Sequence, residues 1–322
     1  MYKPFSDYER LKRALRENYG LSIDNIELMS DFCASVYLLF AADNQYVFKL
    51  YRTFDTSIAL QSANITDYLV KQSFPVATIV CTKSGQSAIN MVFPEGDRIG
   101  ILFDFIHGTM GYDLPFESYA VEMGETISRL HSIMDHYNKP IIQYGKAHYA
   151  GRYINVMKEF DYSPSKIEAL EAFADMLWNN VAKTKPGFCH GDLNASNFIV
   201  TPDGKCCIFD FDCAGIAYPI NDIWTICTVT ETFFEFNTTK HVDPAAEFLL
   251  LRQGYEKYRT LNDYDVSAMY SFIGLSCYWA AAQNYKYRPA LEGWQWLNKD
   301  YFDNNYTWLM HWKNICESKG LL

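Results

Sequence analysis

Apolar and polar positions alternate through residues 45–51, with Lys49 set among apolar neighbours, and that period marks a half-buried strand. A strand is predicted before it over 35–40, and a later one over 87–93 leads into a turn at 94–97. Helical spacing predicts a first helix over 6–19, a second over 56–71 and a third over 118–133. The run 100–108 is largely apolar and ends in glycine, so it reads as a buried strand. Further on, 198–200 and 205–210 are short apolar strands joined by a tight turn at Asp203-Gly204. Beyond Trp224 the chain is helical and rich in aromatic residues. No internal repeat or low-complexity linker interrupts it, and the proline-containing breaks at 137–140 and 162–165 separate helices rather than domains.

The chemistry gathers around that short hairpin. Asp192 and Asn197 stand five positions apart in a loop opened by His190-Gly191, and Asp210 and Asp212 follow the second strand. Phosphoryl transfer needs such a set. One carboxylate orients a hydroxyl and takes its proton, while hard oxygen ligands hold Mg²⁺ against the nucleotide phosphates. On this basis Asp192 is the catalytic base, His190 braces the loop, and Asn197 and Asp210 are metal ligands, with Asp212 adding a second metal contact. His-Gly-Asp alone is an ordinary turn. The ordered set, its spacing and its strand context carry the assignment.

Residues 190–197 together with 208–212 resemble the aminoglycoside phosphotransferase and choline kinase-like superfamily, a small-molecule branch of the protein kinase-like fold. Pro219 followed by Asp222 and Trp224 resembles its later structural aspartate. The motif layout is most similar to that of stress response kinase A and homoserine kinase-type proteins. The resemblance implies an α+β, two-lobed fold. A small mixed α/β N-lobe over 1–102 would bind nucleotide, 103–108 would be the hinge, and a larger, mainly helical C-lobe over 109–322 would carry catalysis and the acceptor. It also implies that Lys49 is the phosphate lysine, that Ala34 and Ser35 serve the phosphates through backbone N–H groups and a hydroxyl, and that Phe103, Asp104, Phe105 and Ile106 line the base. His131 would be a buried, hydrogen-bonded residue rather than a catalytic one. Glu231 and Glu235, in the aromatic C-terminal region, would meet an amine of the substrate.

Two features depart from the superfamily pattern. The turn before the strand at 35–40 contains no glycine, and neither Gln61 nor Ser62 supplies the helix carboxylate that pairs with the strand lysine. Asp55 or Asp67 through a shifted helix register, an uncharged contact from Gln61, or a Lys49 held less tightly than usual are the alternatives. The implied activity is transfer of the γ-phosphate of ATP, or of GTP, with Mg²⁺, to a hydroxyl of a small molecule of aminoglycoside, amino alcohol, homoserine or sugar type. A protein Ser/Thr kinase of the stress response kinase A type is one alternative. A non-catalytic nucleotide-binding regulator is the other, and the intact Asp192, Asn197 and Asp210 weigh against it.

Composition narrows the partners. A chain of 322 residues, 49% of them hydrophobic, has room for two lobes and a substantial core. No apolar stretch reaches the length of a membrane span, and Met1 is followed by no apolar signal core, so a cytoplasmic protein without a membrane partner is expected. Nine cysteines show no paired metal-ligand spacing, and reduced, buried thiols are expected. A net charge of −10 offers no basic stripe to a nucleic acid.

Overall fold

A computed structural model of the chain describes residues 8–227, 245–288 and 294–322. In chain order its first elements are α1 (Tyr8–Tyr19), β1 (Asn25–Asp31), β2 (Ala34–Ala41), β3 (Asn44–Tyr51), α2 (Thr56–Lys71), β4 (Ile89–Phe93), β5 (Gly96–Asp104) and β6 (Thr109–Met110). Next come α3 (Ala120–Met134), α4 (Arg152–Glu159), α5 (Pro164–Val181), β7 (Gly187–Cys189), β8 (Phe198–Val200), β9 (Cys206–Ile208) and β10 (Gly215–Ala217). The chain ends in α6 (Ile220–Cys227), α7 (Ala245–Tyr255), α8 (Asp263–Tyr287) and α9 (Lys299–Lys319). The described residues fall into two compact units, 8–109 with 198–213, and 110–197 with 214–227, 245–288 and 294–322.

The first unit is built on an antiparallel sheet in the order β1-β2-β3-β5-β4. Successive strand residues point to opposite faces, and both faces are covered. Tyr37, Leu39, Phe48, Leu50 and Leu102 pack with Leu11 and Leu15 of α1 on one side. Tyr51 and Ile101 pack with Ala59 and Ala63 of α2 on the other. Lys49 is one residue out of step with Phe48 and Leu50, so it shares the α2 face with Tyr51. The run 100–108 is strand only as far as Asp104, and 105–108 leaves regular structure. The hairpin β8–β9 belongs to this unit, and Ile208 N–H donates to the Pro75 carbonyl at 3.1 Å.

The second unit is helical. Helices α3 and α7 meet backbone to backbone, since a Cβ on Gly124 would stand 2.0 Å from the Leu251 carbonyl oxygen and one on Gly254 would stand 1.8 Å from that of Val121. The long helix α8 is buried on more than one side, with Ala268, Phe272, Leu275, Tyr278 and Ala281 all in the core. It begins with a capping box in which Asn262 and Asp265 satisfy each other's end of the first turn. Tyr278 donates to the Leu170 carbonyl at 2.9 Å and thereby locks α8 to α5. The two short strands β7 and β10 pair antiparallel and frame the loop that follows β7. All nine cysteines are free thiols, with Cys206 and Cys207 both buried. Among the described residues no helix is long and apolar enough to cross a membrane.

Candidate active site

The loop after β7 is pinned from beneath by one buried carboxylate. Asp222, in the first turn of α6, accepts the His190 N–H on Oδ2 at 2.7 Å and the Gly191 N–H on Oδ1 at 2.9 Å. Gly191 takes φ +84°, a conformation that favours glycine and lets both amides converge on Asp222. Oδ2 also lies 3.0 Å from His131 Nε2, and His131 Nδ1 lies 3.0 Å from the Tyr255 hydroxyl. The carboxylate oxygen and the Tyr255 hydroxyl thus engage both ring nitrogens of His131. His131 and Asp222 are almost fully buried, so the chain Tyr255–His131–Asp222 is structural, as the sequence suggests for His131. His190 braces the loop through its main chain, and its Nδ1 lies 3.4 Å from the Asp192 N–H.

Above that base the loop closes on itself. Asn194 Nδ2 donates to Asp192 Oδ1 at 3.0 Å, and Asn197 Nδ2 donates to the Asp192 carbonyl at 2.6 Å. The same Asn197 nitrogen lies 3.2 Å from Asp192 Oδ2. Leu193, fully buried, anchors the segment. Asp192 is thus a half-buried carboxylate with both oxygens oriented, and the nitrogen of Asn197 is engaged, which leaves its amide oxygen as the hard donor.

In the sheet unit Lys49 reaches a pair of carboxylates. Its Nζ donates to Asp210 Oδ1 at 2.8 Å and to Asp212 Oδ2 at 2.6 Å. Burial pulls the ammonium pKa down, but the charges of Asp210 and Asp212 outweigh it and hold Lys49 well above the usual lysine range. Burial, and then the neighbouring charge of Asp210, raises the Asp212 carboxyl, while Lys49 and Tyr51 oppose that rise. Asp210 itself adopts φ +68° as the chain leaves β9, a left-handed conformation that costs a non-glycine residue roughly 1 kcal/mol or more and concentrates at functional sites.

These contacts revise two expectations. Asp212 is a poor second metal contact: Lys49 holds Oδ2, and the Tyr51 hydroxyl donates to Oδ1 at 2.8 Å. Ser35 is fully buried, its hydroxyl donating to Asp31 Oδ1 at 2.7 Å and accepting from Arg98 Nη2 at 2.9 Å, so that hydroxyl faces the sheet interior rather than a ligand. The glycine-free turn between β1 and β2 is instead clamped by Arg52. Its Nη2 donates to Asp31 Oδ1 at 2.8 Å and to the Phe32 carbonyl at 3.0 Å. Of the carboxylates considered for Lys49, Asp67 pairs with Lys71. Phe103 and Asp104 end β5, where the Asp104 N–H donates to Thr78 at 2.9 Å, while Phe105 and Ile106 lie in the irregular link beyond. Glu231 and Glu235 lie outside the described residues.

Tyr51, Arg52 and Arg98 are the residues that motif reading passed over. Tyr51 had a signal, being two positions from Lys49 on the same strand face. The arginines had a weaker one, charges embedded in apolar strand ends.

The residues fit a divalent cation held partly by phosphate. Lys49 with Asp210 and Asp212 carries one excess negative charge, and the Asp210 side chain remains 37% exposed against 17% for Asp212. Among the described residues no cluster of three or more His, Cys, Asp or Glu side chains forms a closed cage. A single partly exposed carboxylate such as Asp210 is the kind of oxygen ligand that Mg²⁺ shares with nucleotide phosphates.

The profile of the phosphotransferase enzyme family matches residues 26–261, which spans the sheet, the loop at 190–197 and the Asp222 brace. The chain belongs to that family. The chain is also 25% identical over 232 residues to an uncharacterized protein of Deinococcus radiodurans, a match that covers 68% of the chain and spans only 64% of that relative's length. Among solved structures, amicoumacin kinase hAmiN in complex with AMP-PNP, Ca²⁺ and Ami superposes with a TM-score of 0.74 at 18% identity, covering 98% of this chain and 94% of that one. A microcompartment-associated aminopropanol kinase gives 0.73 at 18% identity, with 98% and 99% covered. Choline kinase from Cryptosporidium parvum gives 0.66 at 13% identity, with 98% of both covered. The chain therefore has the protein kinase-like fold, with a sheet lobe and a helical lobe.

Proposed function

We propose that this phosphotransferase moves the γ-phosphate of ATP to a hydroxyl of a small molecule, with Mg²⁺ as the metal. The observation that carries the reading is the Asp192–Asn197 loop. Its base has both oxygens oriented, and its amide is turned so that nitrogen faces the base and oxygen is left for a cation. Asp192 accepts the acceptor's proton as its oxygen attacks the γ-phosphorus and ADP leaves, and Asn197 and Asp210 would each supply an oxygen ligand to the metal. The metal, when bound, neutralises charge on the β- and γ-phosphates. Lys49 adds a fixed positive charge to the same phosphates. Nucleotide is assigned to residues 1–102 with the hinge at 103–108, and the acceptor to 109–322. The solved relatives named above act on amicoumacin, aminopropanol and choline, which favours an acceptor with an amine beside its hydroxyl.

The test is ATP and GTP consumption with Mg²⁺ across a panel of amino alcohols, aminoglycosides, homoserine, sugars and a model protein. Acceptor-stimulated turnover with an amino alcohol or aminoglycoside, lost in Asp192→Asn, is expected. Phosphate incorporated only into protein, with the small-molecule panel silent, would replace this reading with a Ser/Thr kinase.

A further inference from the structure

Lys49 brings a charge to a position only 8% exposed, so it needs a fixed counter-charge. Helix α2 does not provide one from within: its one carboxylate, Asp67, is on Lys71 at 2.6 Å. The buried face of α2 carries instead the small side chains Ala59, Ser62, Ala63 and Thr66. A phenol fills the room they leave. Tyr51, 1% exposed, packs against Ala59, Ala63 and Ile101 on the sheet face it shares with Lys49. Its ring centroid lies 4.9 Å from the Lys49 ammonium, and its hydroxyl donates to Asp212 Oδ1 at 2.8 Å. The other Asp212 oxygen receives Lys49 at 2.6 Å.

We propose that Tyr51 and Asp212 are the positioning residues of Lys49, in place of a helix carboxylate. The phenol orients Asp212, Asp212 holds the ammonium, and the more exposed Asp210 is left to the cation. This rests on the phosphotransfer reading above. The two carboxylates differ in the way this division requires. Asp212 has both oxygens engaged and only 17% of its side chain exposed, whereas Asp210 stands at the left-handed turn with over a third of its side chain exposed. Once Asp210 is committed to a cation, Asp212 still holds Lys49. The lysine is therefore tethered to the loop that carries the metal ligand, and small movements of α2 do not release it.

The experiment is calorimetric binding of a non-hydrolysable ATP analogue, with Mg²⁺ titrated, to the full chain and to Tyr51→Phe, Asp212→Asn, Asp210→Asn and the Tyr51→Phe/Asp212→Asn double variant, alongside KM and kcat for ATP. Tyr51→Phe keeps the ring and removes only the hydroxyl. It is expected to weaken nucleotide binding several-fold, with KM for ATP rising by more than kcat falls. Asp212→Asn should weaken binding about tenfold, as loss of a charged hydrogen bond does. The double variant should be no worse than Asp212→Asn, because the phenol acts through Asp212. The Mg²⁺ midpoint should move in Asp210→Asn and stay in Asp212→Asn. Additive losses, or equal Mg²⁺ shifts in both aspartate variants, would overturn the proposal. So would unchanged binding in Tyr51→Phe, the variant that keeps the test informative if Asp212→Asn fails to fold. Absence of nucleotide binding by the unsubstituted chain would instead sink the phosphotransfer reading itself.

Discussion

The side-chain nitrogen of Asn197 reaches back across the loop to the main-chain oxygen of Asp192 at 2.6 Å, so the proposed base and the proposed amide ligand are parts of one closed ring of chain. A hydrogen bond this direct couples their positions. Moving one moves the other.

Removing the base without removing the ring separates chemistry from binding. Asp192→Asn keeps the size and one acceptor oxygen, so binding of an ATP analogue with Mg²⁺ should change by no more than about twofold. Turnover should fall by about 10²–10⁴, the usual contribution of a positioned base. Steady-state kinetics beside calorimetry checks this, and a parallel loss of nucleotide affinity would place Asp192 among the metal ligands.

Arg52 replaces glycine-loop chemistry with a clamp. Its fork holds Asp31 and Phe32 together, and a second arginine, Arg98, reaches the carbonyls of Leu50 and Tyr51 at 3.1 and 2.8 Å. Arg52→Met should speed amide exchange across residues 31–34, lower stability by about 1–2 kcal/mol and raise KM for ATP. Arg52→Lys should recover part of the stability only, since an ammonium lacks the planar fork. Exchange unchanged in both variants would show that the turn holds itself.

Asp222 is the most exacting position in the helical unit. An amide there offers one oxygen where the carboxylate offers two, and its NH₂ group meets the N–H of His190 or Gly191 head on. Asp222→Asn should cost about 3 kcal/mol in urea unfolding. The loss of activity should exceed what the remaining folded fraction explains, because the loop carrying Asp192 loses its floor.

The pH dependence of stability should report His148. Burial, then the charges of Arg152 and Lys286, lowers its pKa to about 3. Trp279 Nε1–H donates to its Nε2 at 3.1 Å, a bond that only the neutral ring accepts. The folded pKa lies below the unfolded value near 6.5, so the unfolded chain binds the proton first as pH falls. The contribution of His148 is thus fully present above about pH 6.5 and is lost progressively towards pH 3, on the order of 1–2 kcal/mol between pH 7 and 5. His148→Phe should flatten that part of the curve. An unchanged slope would assign the pH sensitivity elsewhere.

The strands and helices that pack by simple period were legible in the chain. Helix α2 has the bounds its spacing predicts, and β8 with its turn at Asp203-Gly204 lies where apolar residues and glycine place it. Strand β1 was not legible, because it is an edge strand with only Ile26 fully buried and a bulge between Leu28 and Ser30 that breaks its alternation. The short pair β7–β10 was hidden for another reason: three residues each are too few to show a period. In the candidate site, the spacing of Asp192 and Asn197 was a local signal. The anchoring of Lys49 was not, since Tyr51 and Asp212 are 161 positions apart and the sequence offers no sign that they meet. Ser35 misled because a small polar residue beside a turn reads as a ligand contact until two charges, the half-buried Asp31 and the buried Arg98, are seen to engage it.

The Asp222 brace also sets an order on biosynthesis. His131 leaves the ribosome first, then the loop at 190–192, then Asp222, and Tyr255 last of the four. During elongation the loop has no floor until α6 has emerged, and His131 has no second partner until α7 is complete. A nascent chain long enough to contain every residue proposed for chemistry still lacks the contacts that hold Asp192 in place. Competence arrives late in translation, and a message cut short before α6 would yield a chain carrying the residues proposed for chemistry without the brace that fixes their loop.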